Sequence, residues 1–198
     1  MISLSKIGFA CGGLFLLALC SQVIASTKAQ LQALVPQLQS LAAQNSIVEA
    51  VDAANQAHAQ LSSNDIRSLG KEWHAGLSGK ASPILTQVNG SDLSNALKNI
   101  QMESNGQYLG ILVTDSKGLV IGQTYNAEHY SEAHRSIWSK IAKEGVTAVY
   151  YGKAKSTENG DIATLGLPII EKSQVVGAIL VETKVTPSSL THKVKSTT

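Results

Sequence analysis

Residues 108–124 read YLGILVTDSKGLVIGQT. Two apolar runs, 108–114 and 119–124, flank the turn Asp115-Ser116-Lys117-Gly118. Gly118 supplies the permissive backbone that such a turn needs, so the stretch reads as a β-hairpin. The apolar period changes at Tyr108. Upstream the chain reads as helix, and downstream it reads as strand with one helix inserted. Helices followed by a meander of strands indicate an α+β fold rather than a parallel α/β sheet.

Working back from the hairpin, Ser91 caps a short helix whose buried stripe is Leu93, Ala96, Leu97 and Ile100. Residues 79–90, with Pro83, read as loop. Ser62 and Asp65 are spaced as a capping box, and Ile66, Leu69, Trp73 and Leu77 follow on one helical face. Further back, Leu31, Leu34, Val35, Leu38 and Leu41 recur at helical spacing, and Val48, Val51 and Ala54 continue the series. This is one long N-terminal helical stretch, with Pro36 and Asn45-Ser46 as points of kink or restart. Working forward, residues 131–142 read as a helix ended by Gly145. Strands are expected at 146–151, 161–170 and 175–183. Pro168 marks an edge or a bulge. With the hairpin that makes five strands.

Cysteines occur only at Cys11 and Cys20. Lys6, an apolar run over 7–20, and Val23-Ile24-Ala25 before Ser26 have the form of a secretory signal peptide over residues 1–25. An uncleaved anchor is the alternative, because 7–25 approaches the length of a membrane span. Cleavage after Ala25 leaves a mature chain without disulfide, thiolate nucleophile or Cys metal ligand. One domain over 26–185 and a polar tail over 186–198 complete the expected organisation. The net charge of +2 comes from 16 basic and 14 acidic residues and gives no clustered basic surface for nucleic acid.

Four segments together resemble one known family. They are Asn45-Ser46-Ile47-Val48-Glu49-Ala50-Val51; Leu61-Ser62 followed by Ile66, Leu69 and Trp73; the 111–124 hairpin around Asp115 and Gly118; and Leu167-Pro168-Ile169-Ile170 followed by Val176-Gly177-Ala178-Ile179-Leu180-Val181. In order and spacing they resemble the single Cache domains, the PDC-type extracytoplasmic sensors of bacteria, over about residues 31–183. The resemblance implies a PAS-like α+β fold. Its long N-terminal helix packs on a five-stranded antiparallel sheet, and its ligand cavity lies over the other face under residues 124–145. It also implies an exported, periplasmic domain that binds a small molecule without catalysis and passes occupancy to a membrane-bound signalling protein. Pairing of two copies through the N-terminal helix is implied as well. The chain departs from the family where an acidic motif is usual: residues 129–134 are His129-Tyr130-Ser131-Glu132-Ala133-His134, and Lys155-Ser156-Thr157 stands where an aspartate-bearing step is expected.

The candidate ligand-binding residues follow from that placement. Tyr130 and Trp138 are expected to wall the pocket, and Arg135 or His134 to pair with a carboxylate. His134 and Trp138, four apart on the 131–142 helix, are expected to share a face. In the third strand only one of Tyr150 and Tyr151 can face the cavity, and Tyr151 is the choice, with Lys153 set to neutralise an anionic or zwitterionic ligand. The competing readings are Trp138 as core and His134, Arg135 and Lys153 as solvated. No metal and no cofactor are expected, since the five histidines show no ligand spacing and no covalent haem motif occurs. Nucleotide and hydrolase signatures are missing, so the chain is expected not to be an enzyme. An interaction protein with a vestigial pocket is the alternative. An enzyme whose carboxylates converge from Glu128, Glu132 and Asp161 is the weakest reading.

Overall fold

The computed structural model describes residues 26–158 and 160–186. The leader read at 1–25 and all of the tail beyond Thr186 lie outside the described residues. The long N-terminal stretch is two helices, α1 (Thr27–Ala42) and α2 (Asn45–His58), separated at Ala43 and Gln44. Pro36 lies within α1 and does not break it. Helix α3 (Ser63–Leu77) begins at the capping box read from the sequence. The Ser62 hydroxyl accepts the Asp65 N–H at 3.2 Å, and the Asp65 carboxylate accepts the Ser62 N–H at 2.9 Å.

The segment read as loop over 79–90 contains a helix, α4 (Pro83–Gly90). The reason is local. Proline is tolerated in the first helical turn, and the preceding Ser82 hydroxyl accepts the Leu85 N–H at 3.2 Å. Helix α5 (Asp92–Glu103) is capped by Ser91, whose hydroxyl accepts from Ser94 N–H at 3.1 Å.

The hairpin forms as expected, as β1 (Tyr108–Thr114) and β2 (Val120–Gln123). After it come α6 (Ser136–Glu144), a 3-10 turn (Gly145–Thr147), β3 (Tyr150–Tyr151), β4 (Lys155–Thr157), β5 (Gly160–Glu171) and β6 (Gln174–Val185). The sheet is antiparallel in the order β2-β1-β6-β5-β3, with β4 also paired to β5. The architecture is thus α+β, as read, but with six strands instead of five. Pro168 sits where β5 has only β6 as partner, the edge-type position expected of it, while the register shift at Ile169/Ile170 skips Val176 of β6.

Helix α6 starts at Ser136, not at Ser131. Residues 130–132 are held against the hairpin instead: Val120 N–H donates to Tyr130 O at 2.9 Å, Glu132 N–H donates to Gly118 O at 2.8 Å, and Leu119 bridges Ser131. A backbone bonded to a strand edge cannot also close helical turns.

Alternation along the strands separates two cores. Ile111, Val113, Leu165, Leu167, Ile179 and Val181 face α1, α2 and α5. Leu112, Leu180, Ala178 and Tyr150 face α6 and the packed pair α3 and α4, around Trp73 and Tyr130. The two halves are tied together at the hairpin turn. Asp115 is fully buried; its Oδ1 accepts the N–H groups of Lys117 (2.9 Å) and Leu119 (2.8 Å). Its Oδ2 accepts from His58 Nδ1 at 2.7 Å. The Lys117 ammonium donates to the carbonyls of His58, Ala59 and Leu61 at the end of α2, where a cation also complements the helix dipole.

Asp115→Ala removes the acceptor from two turn N–H groups and from His58 at once. Breaking a buried, hydrogen-bonded carboxylate costs about 3–5 kcal/mol. Urea unfolding should show a loss of that size with an unchanged slope; a loss below about 1 kcal/mol would contradict the anchoring role.

Candidate functional site

A cavity of about 490 Å³ opens over the second sheet face, beneath the start of α6 and beside β3. Its floor is Thr164 of β5 and Leu180 of β6, and one wall is Ser136 and Ile137 of α6. Register explains the floor. Glu182, Thr164 and Gly110 form one row of the sheet, and Leu180, Gly166 and Tyr150 form the next. A side chain at Gly166 would collide with Ile137, so α6 rests directly on the sheet there. The cavity is the space left beside the first residues of α6. In the Glu182 row the ring of Tyr125 covers Gly110, within 2.6 Å of where a Cβ would stand.

The charged residues lining the cavity are Arg135, Lys153 and Lys155, with no carboxylate among them. The N-terminus of α6 adds to this field, because its cap residue Arg135 makes no side-chain capping bond. Ser136 Oγ donates to the Tyr150 hydroxyl oxygen at 3.0 Å, which leaves the Tyr150 O–H to donate into the cavity. The chemistry on offer is recognition of an anion by charge-assisted hydrogen bonds.

Behind this rim lies Glu132, fully buried. Its Oε2 accepts from Arg135 Nη1 at 2.9 Å, while Oε1 has no hydrogen-bond partner. Burial holds its carboxyl above the usual carboxylate range, opposed by Arg135 and more weakly by His129 and His134. Burial pushes the Tyr125 hydroxyl up as well, with Glu182 and Glu132 adding to it.

Of the six residues proposed from the sequence, Arg135, Tyr151 and Lys153 line this cavity. Tyr151 borders it mainly from the other side of β3. Its register partner is Leu165, its ring packs with the α1 core, and Lys28 Nζ stands 5.7 Å from the ring centroid. Tyr150 is the tyrosine on the cavity face. Trp138 packs in the second core against Gly118, so the reading of it as core is met. His134 is not on α6 and does not share a face with Trp138. It lies in the preceding loop with its ring 5.3 Å from that of His129, beside His74. Tyr130 is buried against Trp73, with ring centroids 5.5 Å apart.

Sequence reasoning missed Ser136, Lys155 and Thr164. The alternation of β5 would have found Thr164 once Leu165 and Leu167 were placed in the core. Among the described residues no group of three or more His, Cys, Asp or Glu side chains is disposed to hold a metal ion.

Neither a protein-family model nor a curated protein matches the chain. Solved structures do. The sensor domain of the Vibrio cholerae histidine kinase DctB is 21% identical with a TM-score of 0.36, over 78% of this chain and 57% of that one. The ligand-binding domain of the Campylobacter jejuni chemoreceptor Tlp3, in complex with L-norvaline, is 14% identical with a TM-score of 0.37, over 80% and 59%. The Escherichia coli DcuS sensor domain is 14% identical with a TM-score of 0.35, over 61% and 86%. All three are sensor or ligand-binding domains. The chain spans less than two thirds of the length of the first two. Among the described residues no helix is long and apolar enough to cross a membrane.

Glu132 gives a pH signature. Its pKa is raised on folding, so the folded chain binds the proton more tightly than the unfolded chain. The destabilisation carried by the ionised form is present at neutral pH and is relieved as pH falls through the raised value. Gln mimics the neutral form. The melting temperature of Glu132→Gln minus that of wild type should fall by a few degrees between about pH 8 and about pH 4. A difference independent of pH would mean that Glu132 carries no buried charge.

Proposed function

We propose that this chain is an exported, non-catalytic sensor domain that binds a small anionic or zwitterionic molecule in the cavity under α6. The observation that carries this reading is the cavity's lining: three cations and no carboxylate, with the Tyr150 hydroxyl and the α6 N-terminus aimed at the same space. Arg135 supplies the planar fork for a carboxylate, and Lys153 and Lys155 neutralise it from the β3–β4 side. Thr164 and Ser136 supply neutral hydrogen bonds that set orientation. A signal peptide over 1–25 would deliver the domain to the periplasm, and a membrane-bound signalling protein would read its state.

The signal would start at Arg135. A ligand carboxylate competes with Glu132 for the guanidinium. Drawing Arg135 toward the ligand takes from the Glu132 carboxylate the hydrogen bond on Oε2, in a site where Oε1 is already unpaired. The loop 129–135 would then favour a second arrangement. Occupancy shifts that equilibrium only by the difference in ligand affinity between the two arrangements. The loop is bonded to β2 through Tyr130 O and to the hairpin turn through Glu132 N–H, so its movement would reach the hairpin.

A thermal-shift panel of mono- and dicarboxylates, amino acids, amines and neutral sugars tests this on the purified chain. A bound carboxylate or amino acid at about 100 times its dissociation constant should add about 2.7 kcal/mol of stability. The shift should vanish in Lys153→Ala and in the Arg135→Ala/Glu132→Gln double variant, which leaves no buried charge unpaired. A response confined to amines or sugars, or one untouched by both variants, would refute the proposal.

A further inference from the structure

A second cavity, of about 340 Å³, lies at the opposite edge of the sheet, between α2, α4 and β2. It shares no lining residue with the cavity under α6. Its volume is within the range of small-molecule sites. The space exists because α2 turns a stripe of alanines toward it, Ala50, Ala53, Ala54 and Ala57, at the spacing of one helical face. Ile84 and Val88 of α4 and Val120 and Ile121 of β2 form the facing walls, so the lining is mainly apolar.

Four polar side chains interrupt it: Gln87 and Ser91 on the α4 side, and Tyr130 and His58. Tyr130 is 1% exposed, and its hydroxyl is buried with no hydrogen-bond partner. The charges acting on that hydroxyl are Asp115 and Glu72. Asp115 holds His58, and Glu72 Oε1 accepts the N–H of Ile84 at 2.8 Å. Tyr130 lines this cavity together with His58 and Ile84 and forms part of its floor. Burial and the two carboxylates push the hydroxyl up to about 12, which keeps it an O–H donor at any ordinary pH. A donor buried without an acceptor is costly, and one bordering an apolar cavity invites a ligand lone pair. His58 uses Nδ1 on Asp115, so Nε2 is the ring nitrogen left for a ligand.

We infer that this cavity is a second binding site, for a small, uncharged, mainly apolar molecule carrying one hydroxyl group, of which phenol is the simplest probe. A hydroxyl accepts from Tyr130 and donates to His58 Nε2, and the ring or chain fills the alanine-walled space. Asp115 and Glu72 behind the floor oppose an anion, the reverse of the field in the cavity under α6. The inference does not rest on the function proposed for that other cavity.

Titration of the purified chain with phenol, benzoate and toluene, followed by thermal shift and by ligand-observed NMR, tests it. Phenol should raise the melting temperature in a saturable way below about 10 mM, and benzoate should not. Ala54→Leu fills the cavity and should abolish the phenol shift. Tyr130→Phe removes only an unpartnered hydroxyl. It should weaken phenol about five- to tenfold and leave toluene unchanged, which keeps the test decisive if Ala54→Leu folds poorly. No saturable phenol binding, benzoate binding as tight as phenol, or phenol affinity unaltered in both variants would each overturn the inference.

Discussion

The buried carboxylate of Asp115 sets the terms for the rest of the molecule. A charge at zero exposure is tolerated only when its lone pairs are taken up, and here two backbone N–H groups and His58 do so. Those partners come from the hairpin turn and from the end of α2, so one group fixes the helical half against the sheet. Neighbouring bonds act in the same direction. Asn55 accepts the Ser116 N–H and donates to Val176 O, linking α2 to both the turn and β6. Lys117 then ties the turn to three carbonyls at and just beyond the end of α2. The second core assembles around this anchor. Trp73 donates to Ala127 O at 2.8 Å, which brings the chain leaving β2 back over α3.

The β2–β3 connection is confined from both ends as a result. At its start, Tyr130 and Glu132 are bonded to the hairpin. At its end, α6 rests on Gly166, where only a missing side chain permits so close an approach. The cation-lined cavity sits between these two fixed points, under the N-terminus of α6. Its floor and one wall are therefore strands β5 and β6 and helix α6, while Arg135 belongs to the loop before α6.

What was legible in the sequence was whatever local pattern decided. The hairpin, the Ser62–Asp65 box and the apolar stripe of α1 all depend on neighbours within a few residues. Errors arose where distant contacts decided. Residues 131–135 carry no helix breaker, yet the pairing of Leu119 with Ser131 and a turn closed by Arg135 N–H on Glu132 O keep them out of α6. Strand β4 is exposed throughout, so it has no apolar alternation to read. The choice between Tyr150 and Tyr151 is a register question. Tyr150 pairs with Gly166 and Tyr151 with Leu165, and nothing within β3 itself records which partner each will meet. Arg135 and Lys153 were found because their charge suited a ligand expected over that face. Ser136 and Thr164 were missed because hydroxyls are common and only placement distinguishes them.

The two cavities differ in a way that bears on how the domain could work. One is ringed by cations at the β3 side, and the other is apolar, with carboxylates behind its floor at the β2 side. Tyr130 connects them in sequence and in structure. Its ring packs on Trp73 and its side chain lines the apolar cavity. Its carbonyl holds β2, and two residues later Glu132 holds Arg135. In the proposed binding mode, a ligand that draws Arg135 would act on a segment whose other end, Tyr130, lines the second cavity. Coupling between two sites requires a shared element with more than one arrangement, and residues 130–135 are the element that both cavities touch.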